Sequence, residues 1–161
     1  MLCWLVSNGT NSSESYKLKR QIPAVANPPN WLLYELLLAQ LPVGFSVWKE
    51  EPLTLVDSEP EPDISVTRGS KKDFKSAHPS TAESVIEVAV SNPALDRESA
   101  FMYAEAGVKE YWIVLAPERE VEVYRRAEGG CYQEKRIFTA SETVTCVSLP
   151  GLQIAVSEFF A

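Results

Sequence analysis

Apolar residues follow two rhythms along this chain. From Trp31 to Leu41 they fall on nearly every side of a 3.6-residue period, and Pro28-Pro29-Asn30 opens the segment while Pro42 closes it. That pattern predicts a helix. A helix apolar all round is either sandwiched in a core or used at a subunit interface, so a homodimer built on residues 31–41 is expected. Elsewhere the period is two. Strands are predicted at 45–48 and 53–56, with Glu-Glu-Pro between them, and at 63–67. A polar loop spans 69–80, and Ser84 to Val90 is an apolar run broken only by Glu87 and its flanks, as in a buried strand. Asn92 then serves as N-cap and Pro93 as first helical residue of a helix that ends at Gly107. Glu-Tyr-Trp-Ile-Val-Leu at 110–115 has the content of a central strand. Antiparallel strands are predicted at 121–125, 132–138 and 144–149, with a short helical turn at 157–160. The strand–helix–strand run at 84–115 has parallel-crossover character. An α/β fold follows, a mixed β-sheet flanked by helices.

Residues 7–27 are polar and unperiodic, which predicts a flexible lead-in over 1–27 and a single domain over 28–161. The chain has 161 residues, 45% of them hydrophobic and 23% charged, enough for one domain with a core. A net charge of −7 argues against a simple nucleic-acid-binding module, which usually carries a basic footprint. It leaves room for a nuclease, whose metal site is itself acidic. Cys3, Cys131 and Cys146 are an odd number without metal-type spacing, so reduced thiols in a cytoplasmic protein are expected, although Cys131 and Cys146 could meet across a hairpin. The apolar start is too short for a signal sequence, and no segment is long enough to span a membrane.

Two acids draw attention on this background. In a strand at 63–67, Asp63, Ser65 and Thr67 share one face; in the strand at 84–90, Glu87 and Ala89 share one face. If the two strands pair, the carboxylates meet on a surface otherwise cleared of bulk. A hard cation such as Mg²⁺ needs such oxygen ligands, with room for water and a phosphate. The bland readings are a turn aspartate after Pro60-Glu61-Pro62 and, for Glu87, a buried ion pair with a helix arginine such as Arg97. His78, the only histidine, sits in the polar loop and has no nucleophile to serve. No phosphate loop, dinucleotide fingerprint or zinc spacing is present.

The residues Glu61-Pro62-Asp63-Ile64-Ser65-Val66, Ile86-Glu87-Val88, Asp96-Arg97 and, above all, Tyr103-Ala104-Glu105-Ala106-Gly107-Val108-Lys109-Glu110-Tyr111-Trp112-Ile113-Val114 carry a family likeness. Val121-Glu122-Val123-Tyr124-Arg125 and Leu149-Pro150-Gly151-Leu152 add to it. Over roughly 28–160 the chain resembles the Uma-two family of restriction endonucleases, bacterial proteins of largely unknown biological role in the PD-(D/E)XK nuclease superfamily. The resemblance implies a restriction-endonuclease-like core, a divalent metal (Mg²⁺ or Mn²⁺) held by Asp63 and Glu87, and hydrolysis of DNA phosphodiesters. It also implies a lysine beside the attacking water. The superfamily's usual lysine position, two residues beyond the glutamate, is Ala89 here; the family's migrated position, four residues before the tyrosine, is Ser99. Members also generally begin with a Glu-Leu-Ile-Asp-Gly-Glu-like strand, which the first 27 residues do not match.

Two functions of different class remain open from the sequence. One is a Mg²⁺-dependent DNA endonuclease, weak or inactive because Ser99 stands at the lysine's place. The other is a non-catalytic binding or assembly protein that retains the nuclease fold. Lys71, Lys72 and Lys75, on the loop between the two acidic strands, could substitute for the lysine. Tyr103 shares a helix face with Ser99 and either packs in the core or bonds into the site, and Glu35 is either an extra site glutamate or an exposed edge residue.

Overall fold

Pro29 opens a helix whose first N–H groups need no partner, and α1 runs from Pro29 to Gln40 before Pro42 stops it. The structure is a computed structural model that describes residues 29–161; the expected lead-in over 1–27 lies outside the described residues. Strands β1 (Phe45–Lys49), β2 (Ile64–Arg68), β3 (Ser84–Ala89), β4 (Glu110–Leu115), β5 (Glu120–Glu128) and β6 (Cys131–Phe138) form one sheet in the order β1-β2-β3-β4-β5-β6. Neighbours are antiparallel except β3 and β4, which run parallel. Their crossover is α2 (Ala94–Glu105), as the run at 84–115 predicts.

Asn92 starts α2 from just outside it, its Oδ1 accepting the Ala94 N–H at 3.0 Å. Gly107, at φ +74°, reverses the chain after the last turn, and the Val108 N–H caps the Tyr103 carbonyl at 3.0 Å. The sheet is buried on both faces. Leu33 and Leu37 of α1, with Phe159, pack on Ile64, Val66, Ile86, Trp112 and Val123. On the other face Ala100, Tyr103 and Ala104 of α2 pack on Val85, Ala89, Tyr111, Ile113 and Tyr124. A two-stranded ribbon, β7 (Thr143–Thr145) with β8 (Gln153–Ala155), adds Val144 and Ile154 to the α1 side.

Several expectations need correction. The segment 53–56 is no strand: Pro52 and Pro60 bracket it, the Leu53 N–H donates to the Pro60 carbonyl, and the Leu55 N–H to Ser58, so its hydrogen bonds close a local turn. The segment 144–149 bends after Thr145, and its partner β8 went unpredicted. The polar loop contains a 3-10 turn at Lys71–Phe74. Cys146 is a buried free thiol whose pKa burial, aided by nearby Glu110, pushes up to about 12. It therefore does not bridge to Cys131, which is disulfide-bonded, so the expectation of three reduced thiols does not hold.

The two faces of α1 make a direct test. Leu37 is 1% exposed and Leu38 is 47% exposed. Leu37→Ala should cost about 2–5 kcal/mol and Leu38→Ala within about 0.5 kcal/mol of nothing. Urea denaturation followed by circular dichroism measures both; reversed losses would mean that α1 is docked by its other face, and equal losses that Leu38 is buried as well, as in a dimer formed on that face.

Candidate active site

Parity along β2 and β3 decides where the two singled-out acids point. Ile64 lies opposite Ile86 in the antiparallel pair, so Asp63, one residue before β2, lies opposite Glu87. Glu87 in turn is level with Ile113 of β4, and Ile113 with Glu122 of β5. Asp63, Glu87, Ile113 and Glu122 thus form one row across four neighbouring chain segments, all on the face that α2 covers.

The two acids hold one another through the backbone. The Val88 N–H donates to Asp63 Oδ2 at 2.7 Å, and the Asp63 N–H donates to Glu87 Oε2 at 3.2 Å. Glu87 Oε1 accepts the Tyr103 hydroxyl at 3.2 Å. Tyr103 is fully buried, so it both packs in the core and bonds into the site. Far from being cleared of bulk, this surface lies under α2, and Glu87 is only 4% exposed.

Arg97 does not pair with Glu87. Its guanidinium donates to both oxygens of Glu122, from Nε at 3.2 and 3.1 Å, while Tyr124 and Lys135 approach Glu122 Oε2 at 2.7 and 3.1 Å. Sequence reasoning passed over Glu122, although an acid inside Val-Glu-Val-Tyr carries the same signal as one inside Ile-Glu-Val. Burial pushes the Glu122 carboxyl up, but the hydrogen bonds from Arg97, Tyr124 and Lys135 outweigh it and hold the group below its ordinary value. Two residues along β4 from Ile113 lies Tyr111, whose phenol burial and then the charge of Glu87 push well above its ordinary range. It stays a neutral donor, bonded to the Asp96 carbonyl at 2.8 Å.

Ser99 lies on the stripe of α2 that faces the sheet, with Asp96, Ala100 and Tyr103. It is 9% exposed, and its hydroxyl donates to the Leu95 carbonyl at 3.0 Å, an internal helix bond that uses up its donor. Ala89 is buried in the same face's core. Glu35 and His78 are exposed and stand apart from this row. Among the described residues no group of three or more His, Cys, Asp or Glu could hold a metal ion. The candidate donor set is therefore two carboxylates. These are hard oxygens of the kind Mg²⁺ takes, one or two at a time with several waters kept.

The Glu122 cluster gives a pH test. Its carboxyl is held below its ordinary value of 4.5, so the stability it contributes is present above that value and is lost as pH falls through it and below. Glu122→Gln should cost about 1–3 kcal/mol at pH 7, and the gap from wild type should close below pH 4. Urea midpoints at the two pH values read this out; an equal gap at both would show that the charge contributes nothing.

Residues 24–157 match the model of the Uma2 family, described as "Putative restriction endonuclease". No curated protein matches the chain. Among solved structures, the fold is similar to the crystal structure of "a putative nuclease belonging to DUF820 from Anabaena variabilis ATCC 29413". That likeness has a TM-score of 0.70 at 16% identity and covers 85% of this chain and 83% of the other, which is a likeness of fold. Of the described residues, none forms a helix long and apolar enough to cross a membrane. With the matched span covering most of its length, the chain belongs to the Uma2 family.

Proposed function

We propose that this protein is a DNA endonuclease by descent, dependent on Mg²⁺ or Mn²⁺, whose hydrolytic step is weak or absent because Ser99 replaces the lysine. One observation carries the reading: Asp63 and Glu87 stand opposite each other on one sheet face, locked by reciprocal backbone hydrogen bonds. What a bound Mg²⁺ or Mn²⁺ supplies there is polarisation of the scissile phosphate and a lowered pKa for an attacking water. The chain's own residues do the rest. Asp63 and Glu87 offer the hard oxygens, Tyr103 fixes the Glu87 carboxylate, and α2 shields that carboxylate from bulk water, which strengthens its electrostatics. A cation at position 99 would complete the set.

A second reading is a binding or assembly protein that keeps the fold without the chemistry. The Ser99 hydroxyl supports it, since it is bonded back to Leu95, and a serine carries no charge to orient a water. A homodimer fits either reading. Trp31 and Leu38 are 51% and 47% exposed on the outer face of α1, and the Trp31 and Tyr34 rings lie 6.1 Å apart beside them.

Two measurements test the reading. In calorimetric titration with Mg²⁺ or Mn²⁺, wild type should bind and Asp63→Ala should not; binding unchanged by the substitution defeats the assigned site. In a plasmid-nicking assay with metal, Ser99→Lys should raise cleavage by about 10²–10⁴-fold. Position 99 shares the buried stripe of α2 with Tyr103, which bonds Glu87, and lysine is a better helix former than serine. Glu98→Lys, about 100° around the helix and exposed, adds the same cation away from the row. Equal gains in both variants would mean general attraction for DNA, and no gain in a folded Ser99→Lys protein would favour the binding protein.

A further inference from the structure

A cation-bearing turn lies on the β1–β2 flank of the acidic face, beyond the strands that α2 contacts. α2 spans β3 to β6, while over β1 and β2 the same face carries other groups. Trp48 of β1 lies opposite Ser65, two residues along β2 from Asp63, and its indole N–H donates to Thr67 at 2.7 Å. Asp63, Ser65 and Thr67 share parity, so Trp48 is on the Asp63 side, and diagonal neighbours in such a pair lie about 7–8 Å apart. The 3-10 turn Lys71–Phe74 folds back onto it. The Phe74 ring meets the indole edge-on at 5.7 Å, and Lys71 Nζ sits 5.0 Å over the indole ring.

The turn is fixed rather than loose. Gly69, at φ +101°, leaves β2 with its N–H on the Gly44 carbonyl at 2.8 Å, and Asp73 Oδ2 accepts both the Ser70 N–H and hydroxyl at 2.7 and 3.0 Å. A methyl group at residue 69 would come 3.1 Å from that Asp73 oxygen, so the turn needs glycine on two counts. Lys71, Lys72 and Lys75 are all exposed, and among the described residues none of the three enters an ion pair. Against the one acid of the turn, Asp73, they leave an excess of two positive charges within a chain of net charge −7.

We infer that Lys71, Lys72 and Lys75 form the docking strip for the phosphate backbone of duplex DNA, with Trp48 positioning Lys71 by a cation–π contact. The inference rests on the nuclease reading for its ligand and on the turn's geometry for its place. An acidic molecule needs such a strip, because phosphates must be drawn toward a row of carboxylates that repels them. Unpaired lysines cost no broken ion pair when they bind, and an ammonium already held over an indole loses less freedom on meeting a phosphate. The three cations would hold phosphates flanking the one presented to Asp63 and Glu87, leaving the reacting position to the acids.

The test is fluorescence anisotropy with a labelled 20-base-pair duplex, in EDTA, over a series of salt concentrations. Lys71→Gln/Lys72→Gln/Lys75→Gln should bind on the order of 10²-fold more weakly at 0.1 M salt, and its log–log salt slope should be shallower by about 2–3. Trp48→Leu, which keeps apolar volume, should weaken binding less than Lys71→Gln and have no further effect in a Lys71→Gln background. Arg126→Gln/Arg136→Gln, on the far edge of the sheet, should bind as wild type does. A triple variant with unchanged affinity and slope overturns the inference, as does a control that falls equally or a wild type that does not bind. The metal-site reading is judged apart from this. Asp63→Ala, which removes one repelling carboxylate, should bind the duplex in EDTA no more weakly than wild type while losing calorimetric Mg²⁺ binding, and the triple-lysine variant should keep its Mg²⁺ binding, so either idea can fail alone.

Discussion

Buried carboxylates under α2 are the constraint around which this sheet is arranged. An ionised carboxylate taken out of water costs several kcal/mol unless partners replace the water. Glu87 and Glu122, at 4% and 1% exposure, therefore dictate what stands near them. Glu122 draws Arg97 from α2, Tyr124 from its own strand and Lys135 from the edge strand. Glu87 draws a backbone N–H from the chain entering β2 and the Tyr103 hydroxyl from α2. Both acids thus tie α2 to the sheet at points about a turn and a half apart. The helix is held by polar contacts at Arg97 and Tyr103, by Ala100 packing between them and by Ala104 just beyond.

The same constraint explains which parts of the structure could be read from sequence. Period-two runs whose faces are both buried, such as Glu110–Leu115, declare themselves through β-branched and aromatic content, and the boundaries of that strand match the reading residue for residue. The segment at 53–56 misled because Leu53 is buried while its backbone is satisfied inside a proline-bracketed turn; composition reports burial, not hydrogen bonding. β8 is three residues long, too short for any period to show. For the site, parity alone predicted that Asp63 and Glu87 would share a face, because the rule is local to each strand. The partner of Arg97 could not be read the same way. It depends on the register of β3 with β4 and of β4 with β5, which no local pattern encodes. That Glu122 belonged to the row follows only once both registers are known.

Position 99 shows how loosely chemistry and folding are coupled here. The surrounding residues on the buried face of α2 are fixed by contacts: Tyr103 by Glu87, Ala100 by the core, and the Asp96 carbonyl by Tyr111. Ser99 makes no such contact with the sheet; its hydroxyl turns back on its own helix. A serine there bonds within its own helix, so its polar group is satisfied without a partner from the sheet. A loss at Glu87 would instead remove the acceptor that the Tyr103 hydroxyl and the Asp63 N–H both use.

The placement of Asp63 also follows from topology. β3 and β4 form the parallel pair, and in open sheets of this kind ligands gather beyond the carboxyl ends of such strands, where crossovers leave a crevice. Glu87 lies in the later half of β3, near that end. Because β2 runs antiparallel to β3, the beginning of β2 meets the end of β3, so the residue just before β2 is the one delivered to Glu87. Asp63 lies outside the regular ladder, on a bend, with Pro62 before it. At that threshold the residue is fixed at both ends, its N–H bound to Glu87 and its carboxylate to the Val88 N–H. One acid is therefore held inside the sheet under α2 and the other stands at its lip, half-buried, so the pair is buried on one side only.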